Sequence, residues 1–351
     1  MNDVKRLIDK LYSTHSLTVS EYEEILRNIT EEDRQYLKSL AREVREKHYG
    51  KDVYIRGLIE VSNICKNDCY YCGIRAGNHS CDRYRLTDDE ILLCCDEGYR
   101  LGFRTFVMQG GEDSSFTDDR LCGLIGAVKE KYPDCAVTLS LGERSRESYK
   151  KLKEAGIDRY LLRHETADKE HYQKLHPENI SWDNRMECLR NLKDLGYQVG
   201  CGFMVGSPYQ TTEMLAGELK FIEEFKPHMC GIGPFIPHAK TKFRDFPPGD
   251  INMTLTLLSL IRLIAPKVLL PATTALGTLK SGGREEGILC GANVVMPNLS
   301  PKSVRKKYML YDNKLSDGEE SAQAVESLKA RIKSIGYEIV TKRGDCIEKC
   351  I

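Results

Sequence analysis

The chain has 351 residues, of which 41% are hydrophobic and 30% charged, and its 52 basic side chains balance 52 acidic ones. A chain of this length can bury a full-sized core, and a neutral chain without a long basic run is not expected to bind nucleic acid or an anionic membrane as its main partner. It contains no apolar run of membrane-spanning length, and Met1–Arg6 lead into a charged helical pattern without a signal-peptide core, so we expect a cytoplasmic protein.

Residues 1–50 are predicted to form an N-terminal helical cap. Thr18–Glu21 has the pattern of a capping box, and Thr30–Asp33 has the pattern of its aspartate version, so both mark helix starts. Apolar residues then recur at helical spacing, at Leu37, Leu40, Ala41 and Val44. We assign no chemistry to this cap.

A cysteine motif follows the first strand-like run, Val53–Val61. Its members, Cys65, Cys69 and Cys72, are spaced Cys-x3-Cys-x2-Cys. Thiolate is the soft ligand that iron–sulfur clusters need, and these spacings let one loop bind three irons of a cubane while the fourth iron has no protein ligand. An iron with an open position is a place for chemistry, so we expect a [4Fe–4S] cluster here.

Two other interpretations of the motif stay open on the residues alone. A structural zinc site needs a fourth ligand, for which His79 and Cys81 are the nearest candidates. The motif could also arise by chance, because the chain has 14 cysteines, most of which we expect to be reduced and buried. The spacing, with Tyr71 before the last cysteine, resembles the signature of the radical S-adenosylmethionine (SAM) enzymes.

From residue 53 onward, short apolar runs alternate with amphipathic helical stretches such as Thr87–Leu101, which opens with a capping box. Eight such units over about 250 residues predict an α/β fold, a closed (β/α)8 TIM-type barrel. We assign residues 51–312 to the barrel and residues 313–351 to a C-terminal helical and loop extension of the same domain. The predicted strands are Val53–Val61, Phe103–Met108, Ala136–Leu141, Asp158–His164, Gln198–Val205, Met229–Phe235, Val268–Thr274 and Ala292–Met296.

Polar residues at the predicted strand ends are candidate ligand contacts, because the chemistry of such a barrel lies at the C-terminal ends of its strands. The second strand runs into Gly110, Gly111 and Glu112. The glycines allow a ligand close to the backbone, and the carboxylate can accept a hydrogen bond from an ammonium group. A plain tight turn is the alternative.

The fourth strand carries two arginines on one face. Side chains alternate along a strand, so Arg159, Arg163 and Glu165 point the same way. If this face points into the barrel, Arg163 has Glu165 beside it, whereas Arg159 needs an anionic ligand because an unpaired buried charge is costly. If the face points outward, the charges form salt bridges with helices.

Glycines interrupt the fifth and sixth strands, within Gly200–Pro208 and Gly231–His238. Such positions favour the approach of a flat ligand such as adenine, although barrel curvature alone also explains them. The seventh strand ends with Thr273 and Thr274, which offer hydroxyl donors at the expected end of the barrel but are also common strand formers.

Five sequence blocks together resemble HydE, the radical SAM maturase family of [FeFe] hydrogenase. The resemblance extends from residue 5 to residue 312 and is far more specific than the cysteine motif. Methylornithine synthase is similar in fold and spacing but lacks the block Arg163–Ala167, and biotin synthase is more distant. The blocks are Thr138–Glu143, Arg159–Ala167, Gly231–His238, Pro271–Ala275 and Cys290–Asn298.

The resemblance implies roles for individual residues. The three motif cysteines would hold one [4Fe–4S] cluster, and SAM would bind the open iron through its amino and carboxylate groups. Gly110, Gly111 and Glu112 match the contact to the SAM ammonium group. The other implied SAM contacts are Ser140, Arg163, Glu165 and Arg185. The residues that match a deep anion site are Arg159, Thr273 and Thr274, and the pair that matches the cavity-lining tyrosines is Tyr308 and the catalytic candidate Tyr311.

The resemblance also implies a substrate and partners. The substrate proposed for the family is an iron complex that carries carbon monoxide, cyanide and cysteine, on which a 5′-deoxyadenosyl radical acts during assembly of the H-cluster. Transient contacts with the other hydrogenase maturases and with a low-potential electron donor are implied, and contacts with nucleic acid or a membrane are not. The alternatives are a methylornithine synthase-like mutase and a non-catalytic iron–sulfur carrier or scaffold.

One stretch departs from the family pattern. Many HydE proteins have three further cysteines after the tyrosine pair, which hold a second cluster, but Asp312–Ser321 has none. Cys346 and Cys350 supply only two ligands close to the C-terminus, where chains tend to fray. We therefore expect a single cluster, and full activity after truncation at Arg343.

Overall fold

The computed structural model describes residues 3–316, 318 and 321–348. Strands and helices alternate along most of the chain, and every pair of neighbouring strands described is parallel, as the sequence predicts. The strands are β1 (Asp52–Ile55), β2 (Gly57–Ser62), β3 (Thr105–Gly110), β4 (Ala136–Ser140), β5 (Arg159–Leu161), β6 (Gln198–Cys201), β7 (Met204–Val205), β8 (Met229–Cys230), β9 (Gly233–Pro234), β10 (Val294–Val295) and β11 (Glu338–Val340).

The predicted helix starts at Thr18, Thr30 and Thr87 are confirmed, because each threonine caps its helix through a reciprocal capping box. The helices are α1 (Asp3–Thr14), α2 (Val19–Asn28), α3 (Glu31–Tyr49), α4 (Asp88–Arg100), α5 (Asp118–Lys131), α6 (Arg146–Glu154), α7 (Lys169–Leu175), α8 (Trp182–Asp194), α9 (Thr212–Phe225), α10 (Ile251–Ile264), α11 (Thr274–Leu279), α12 (Gly283–Leu289), α13 (Lys302–Arg305) and α14 (Val325–Ser334). None of these helices is both long and apolar enough to cross a membrane.

The largest sheet has the strand order β2-β3-β4-β5-β6-β8, and two smaller sheets have the orders β10-β1-β11 and β7-β9. Several predicted strands are shorter or split. Arg56 separates β1 from β2, and the predicted strand Val268–Thr274 pairs only at Leu269 and Pro271. Single parallel bridges join the sheets, between Met229 and Leu269, Pro271 and Val294, and Leu58 and Asn298.

The two faces of the largest sheet differ in polarity. Phe106 and Val137 lie on one face and belong to the apolar core beneath the flanking helices. On the opposite face, which we call the inner face, Glu60, Gln109 and Ser140 lie in register across β2, β3 and β4. The inner face therefore gathers polar side chains at the C-terminal ends of three adjacent strands.

The N-terminal helices cover the outer helices of the fold. Helix α2 packs against α9, where the Tyr22 hydroxyl donates to Glu223 at 2.8 Å, and α3 packs against α10. Helix α10 is buried on all sides from Thr254 to Ile264, which agrees with its many leucines and isoleucines. This region contains none of the predicted site residues.

Candidate functional site

The three motif cysteines lie in a loop after β2, which we call the cysteine loop (residues 64–78). The Asp68 carboxylate holds this loop by accepting hydrogen bonds from the Gly77 N–H at 2.8 Å and from Arg75 at 2.6 Å. The Tyr70 N–H donates to the Leu175 carbonyl at 3.0 Å, so the loop is also fixed to the end of α7. A sequence of mostly polar residues thus forms an ordered loop.

The three cysteines of the cysteine loop are partly buried. Burial raises the pKa of Cys65 and Cys69, and it raises the pKa of Cys72 to about 12. Such thiols stay protonated at neutral pH unless a bound cation stabilises the thiolate.

The surroundings of the thiols do not form a single-ion site. No group of three or more His, Cys, Asp or Glu side chains converges on one metal ion within the residues that the structure describes. In a four-iron cluster each thiolate binds a different iron, so this finding does not conflict with the cluster prediction. Of the zinc candidates, Cys81 Sγ accepts a hydrogen bond from the Asn63 amide at 3.5 Å.

The cysteine loop rests directly on the end of β3. A Cβ atom added at Gly111 would lie 2.3 Å from the Ile64 carbonyl oxygen and 2.7 Å from Cys65 Cβ, so only glycine fits there. The next residue continues this contact, because the Glu112 N–H donates to Cys65 Sγ at 3.4 Å. Gly110 is less tightly enclosed, since a Cβ there would lie 3.1 Å from the Ser62 carbonyl oxygen.

The Glu112 carboxylate is held in its orientation by neighbouring groups. It accepts a hydrogen bond from the Glu143 N–H at 3.1 Å and lies 3.2 Å from the Lys66 ammonium group and 4.0 Å from Arg185. Gly142, which has a φ of 77°, allows this approach, because a Cβ there would lie 2.0 Å from Glu112 Cγ. Gly142 is not among the predicted site residues, because its place in the block Thr138–Glu143 gives no local signal of this role.

Arg163 and Glu165 lie together after β5, as predicted. Arg163 Nη2 is 3.4 Å from Glu165 Oε2, yet neither atom has a hydrogen bond within the described part of the chain, and Arg163 Nε also has none. Glu165 has a φ of 65°, a left-handed conformation that is uncommon for a non-glycine residue. Buried polar atoms without hydrogen bonds, beside a strained backbone, point to a ligand site.

Arg185 reaches the same place from α8. Its Nε donates to Glu143 at 2.6 Å and its Nη1 donates to the Arg163 carbonyl at 3.0 Å. Arg185 therefore connects the loops after β4 and β5, and lies beside Glu112. Ser140 is the last residue of β4 and is partly buried on the inner face.

The two predicted threonines lie across the fold at the start of α11. Thr273 Oγ1 is buried without a hydrogen bond to any described residue, and it faces β9, because a Cβ at Gly233 would lie 2.9 Å from it. Thr274 Oγ1 accepts a hydrogen bond from Arg284 at 3.1 Å. Only Thr273 thus offers an unused hydroxyl group.

Arg159 does not lie in an anion site with the threonines, and this prediction is corrected. Its guanidinium is fully buried and lies 2.5 Å from the Asp345 carboxylate, and it also donates to Thr105 Oγ1 and to the Arg343 carbonyl. Arg159 begins β5, so its side chain lies at the N-terminal ends of the strands, where residues 343–346 cover the sheet. The anion that this arginine needs is supplied by the chain itself.

The inner face also contains a polar network that no sequence pattern predicted. Glu60 is fully buried, and its carboxylate accepts hydrogen bonds from Lys314 at 2.7 Å and from Asn298 at 2.9 Å. The Lys314 ammonium lies 5.4 Å from the centre of the Tyr308 ring, and Gln109 donates to the Tyr308 hydroxyl at 3.3 Å. This network fixes Tyr308.

The second tyrosine of the predicted pair, Tyr311, is partly buried and lies with Tyr308 in residues 308–312, which we call the tyrosine segment. Two backbone hydrogen bonds fix this segment to the rest of the site: the Gly73 N–H donates to the Leu310 carbonyl at 2.8 Å, and the Asp312 N–H donates to the Pro237 carbonyl at 3.1 Å. The tyrosine segment therefore contacts the cysteine loop directly.

Comparisons with known proteins agree with this geometry. The radical SAM superfamily profile matches residues 59–222. The [FeFe] hydrogenase maturase subunit HydE of Thermotoga maritima is 44% identical over 300 residues, which cover 86% of this chain and 85% of that protein. The 3-methylornithine synthase of Methanosarcina barkeri is 29% identical over 342 residues, which cover 96% of this chain and 95% of that protein.

Two solved structures have a similar fold. The crystal structure of methylornithine synthase superposes with a TM-score of 0.84 at 28% identity, covering 95% of this chain and 97% of that chain. That of HydG, a maturase of the [FeFe] hydrogenase, superposes with a TM-score of 0.79 at 22% identity, covering 97% of this chain and 76% of that chain. The second similarity shows the fold alone.

Proposed function

We propose, for a chain that belongs to the radical SAM superfamily and within it to the HydE family of [FeFe] hydrogenase maturases, that Cys65, Cys69 and Cys72 hold one [4Fe–4S] cluster at which SAM is cleaved reductively. The observation that carries this proposal is that the cysteine loop packs directly against Gly111 and Glu112. It joins the ligand loop and the proposed ammonium contact into one unit.

The described residues fit SAM. Arg163 Nε is buried without a hydrogen bond, and Arg163 Nη2 and Glu165 Oε2 face only each other, at 3.4 Å, among the described residues. A ligand carboxylate would complete the bonding of Arg163, and a ligand hydroxyl group that of Glu165. SAM has both groups, in its amino acid and its ribose. The Glu112 carboxylate, placed beside Cys65, suits the ammonium group of the same ligand.

Each residue then has a physical task. The cluster, when bound and reduced, supplies the electron that breaks the C5′–S bond of SAM and yields methionine and a 5′-deoxyadenosyl radical. Glu112 and Arg163 hold the two charged ends of the amino acid, which fixes the reacting bond in one place. The buried network of Glu60, Lys314 and Tyr308 keeps water from the inner face.

We propose further that the sheet closes into a (β/α)8 barrel within residues 51–312, with residues 1–50 as a cap and residues 313–351 as an extension. The bridges at Leu58, Leu269 and Pro271 support closure, because they connect the two edges of the largest sheet to the segments that precede and follow β10. A closed barrel would protect a radical from solvent on all sides.

The substrate that we propose is the small iron complex with carbon monoxide, cyanide and cysteine ligands, in assembly of the H-cluster in the cytoplasm. The identity of 44% to HydE, against 29% to methylornithine synthase, favours a maturase over a mutase. Thr273, with its unused hydroxyl group, and Tyr308 are the described residues best placed to contact an anionic complex. Other hydrogenase maturases are the proposed protein partners.

Anaerobic incubation of the reconstituted, reduced protein with SAM tests this function. We expect methionine and 5′-deoxyadenosine, and their loss in Cys69→Ala. Cys94→Ala and Cys122→Ala are matched controls that should retain cleavage, because these cysteines lie on α4 and α5. A protein that binds the cluster but releases neither product would instead be the iron–sulfur carrier or scaffold.

A further inference from the structure

The outer side of the cysteine loop is covered by a loop rich in positive charge. This cationic loop, residues 238–246, carries Lys240, Lys242 and Arg244 against one carboxylate, Asp245. Its contact with the cysteine loop is direct, because the Arg75 Nε donates to the Lys240 carbonyl at 3.2 Å.

Aromatic rings hold the two loops together. The rings of Tyr70 and Phe243 meet edge to face with centres 6.2 Å apart, and the Lys242 ammonium lies 4.2 Å from the centre of the Tyr70 ring. Tyr70 directly follows Cys69 in the chain. The charges of the cationic loop therefore lie next to a proposed iron ligand.

An exposed aromatic side chain extends this surface. Tyr209 is 51% exposed, with its ring against Phe243 and Phe246, and it is one of five large hydrophobic side chains exposed among the described residues. Lys174 lies 5.9 Å from the Tyr209 ring centre. The result is an apolar centre with a cationic rim, an arrangement typical of protein–protein interfaces.

Three lysines of this surface have no ion-pair partner among the described residues, although the loop also contacts the Asp312 carboxylate, which accepts a hydrogen bond from the Ala239 N–H at 2.8 Å. Lys174, Lys240 and Lys242 are exposed and form no salt bridge with the described part of the chain, whereas the whole chain has a net charge of zero. Unpaired charge of one sign, concentrated beside a redox centre, steers a partner of opposite sign to that place.

We propose that the surface formed by Tyr70, Lys174, Tyr209, Lys240 and Lys242 docks an acidic one-electron carrier protein. This inference rests on the proposed function, because each SAM cleavage consumes one electron. The carrier's reduced flavin or iron–sulfur centre loses that electron, and the SAM sulfonium gains it through the cluster as the C5′–S bond breaks. The surface lies at the ligand loop itself, which keeps the transfer path short.

The test compares two reductants in the cluster-reconstituted enzyme. Lys240→Glu/Lys242→Glu should raise the KM for reduced flavodoxin, a small acidic flavoprotein used as the probe, by about tenfold, because two charges of the docking rim are reversed. With dithionite as the reductant, the same variant should cleave SAM at the wild-type rate, because a small reagent needs no docking surface.

A matched control reverses two exposed lysines at the other end of the fold. Lys226 and Lys333 lie at the C-terminal ends of α9 and α14, and Lys226→Glu/Lys333→Glu should leave the flavodoxin KM unchanged. Calorimetry of oxidised flavodoxin binding gives a second measurement, in which affinity should fall steeply with salt for the wild type and weakly for Lys240→Glu/Lys242→Glu.

Each contrary result has a definite meaning. An unchanged flavodoxin KM in Lys240→Glu/Lys242→Glu overturns the docking surface, and so does an equal loss of rate with dithionite, which would make the lysines structural. Wild-type enzyme that cleaves no SAM with either reductant contradicts the proposed function itself. Tight binding of a hydrogenase maturase in place of flavodoxin, abolished by the same variant, would reassign the surface and overturn the carrier proposal.

Discussion

At the scale of single residues, short-range pairing could be predicted and long-range pairing could not. Arg163 and Glu165 were expected side by side, and the two side chains do lie 3.4 Å apart. The strand alternation that suggested this does not apply, because β5 ends at Leu161 and Glu165 has a left-handed backbone. Arg159 was assigned an external anion because its partner, Asp345, is 186 residues away in sequence. Lys314 likewise reaches Glu60 across 254 residues, and no local pattern indicates such a contact.

Glu112→Gln tests the proposed ammonium contact. The amide keeps the size of the side chain and can still accept from the Glu143 N–H, but it loses the charge that attracts an ammonium group. A charge-assisted hydrogen bond contributes about 1.5–3 kcal/mol, so SAM should bind roughly 10- to 100-fold more weakly. Equilibrium dialysis with SAM measures this, and Glu154→Gln, an exposed carboxylate on α6, is the control. Unchanged affinity in Glu112→Gln would remove Glu112 from the SAM site.

Removing either charge of the pair Arg159 and Asp345 should lower stability by different amounts. Asp345→Ala leaves a fully buried guanidinium without its anion and should lower the free energy of unfolding by about 3–5 kcal/mol. Arg159→Met should cost less, because the Asp345 side chain is 37% exposed and still accepts from Arg343 at 2.9 Å. Urea unfolding of the apo-protein measures both values. The opposite order would show that the guanidinium, not the carboxylate, has other sufficient partners.

At the scale of elements, the order of strands and helices followed from the sequence, whereas strand lengths did not. Apolar runs identify buried segments, but an inward arginine such as Arg56 interrupts the ladder between β1 and β2 without disturbing the apolar pattern. The last strand, β11, was not predicted at all. Its three residues, Glu338–Val340, gain their strand conformation from pairing with β1, at the far end of the chain.

The contacts of the C-terminal segment predict a loss of stability after truncation at Arg343, which replaces the expectation of full activity. That truncation removes the Gly344 carbonyl, which accepts from Arg56 at 3.3 Å, and the carboxylate that pairs with Arg159. Two buried guanidinium groups then lose acceptors, so the melting midpoint should fall by roughly 6–15 °C.

The control for this truncation ends the chain after Ile347 and keeps both acceptors. Its thermal midpoint, measured by circular dichroism, should stay within about 2 °C of the wild-type value, because the one described residue that it removes, Glu348, forms an exposed salt bridge with Lys267, and such a pair contributes about 0–1 kcal/mol. Equal midpoints for both truncated proteins would show that residues 344–347 do not stabilise the sheet.

At the scale of the whole molecule, the fold separates two polar regions by their position along the strands. Cys65, Glu112 and Arg163 lie at the C-terminal strand ends, where Arg163 Nε is buried without a hydrogen bond to any described residue, whereas Arg159 and Asp345 pair with each other at the N-terminal ends. In folds of this kind the chemistry lies at the C-terminal strand ends, and charged pairs at the N-terminal ends stabilise the fold. Residue types alone could not distinguish these ends, since both contain arginine and carboxylate.

The positions of the C-terminal cysteines lead us to expect a single cluster. Cys346 is buried at the N-terminal strand ends, with its Sγ 3.1 Å from the Lys267 carbonyl, and Cys350 lies outside the described residues. Reconstituted protein should therefore contain about four irons per chain, the content of a single cubane, and Cys346→Ser should keep all of them. Cys69→Ser should lose the cluster, because it removes one of three ligands in the cysteine loop. Iron analysis with electron paramagnetic resonance of the reduced protein measures both, and about eight irons in the wild type would place a second cluster near the C-terminus.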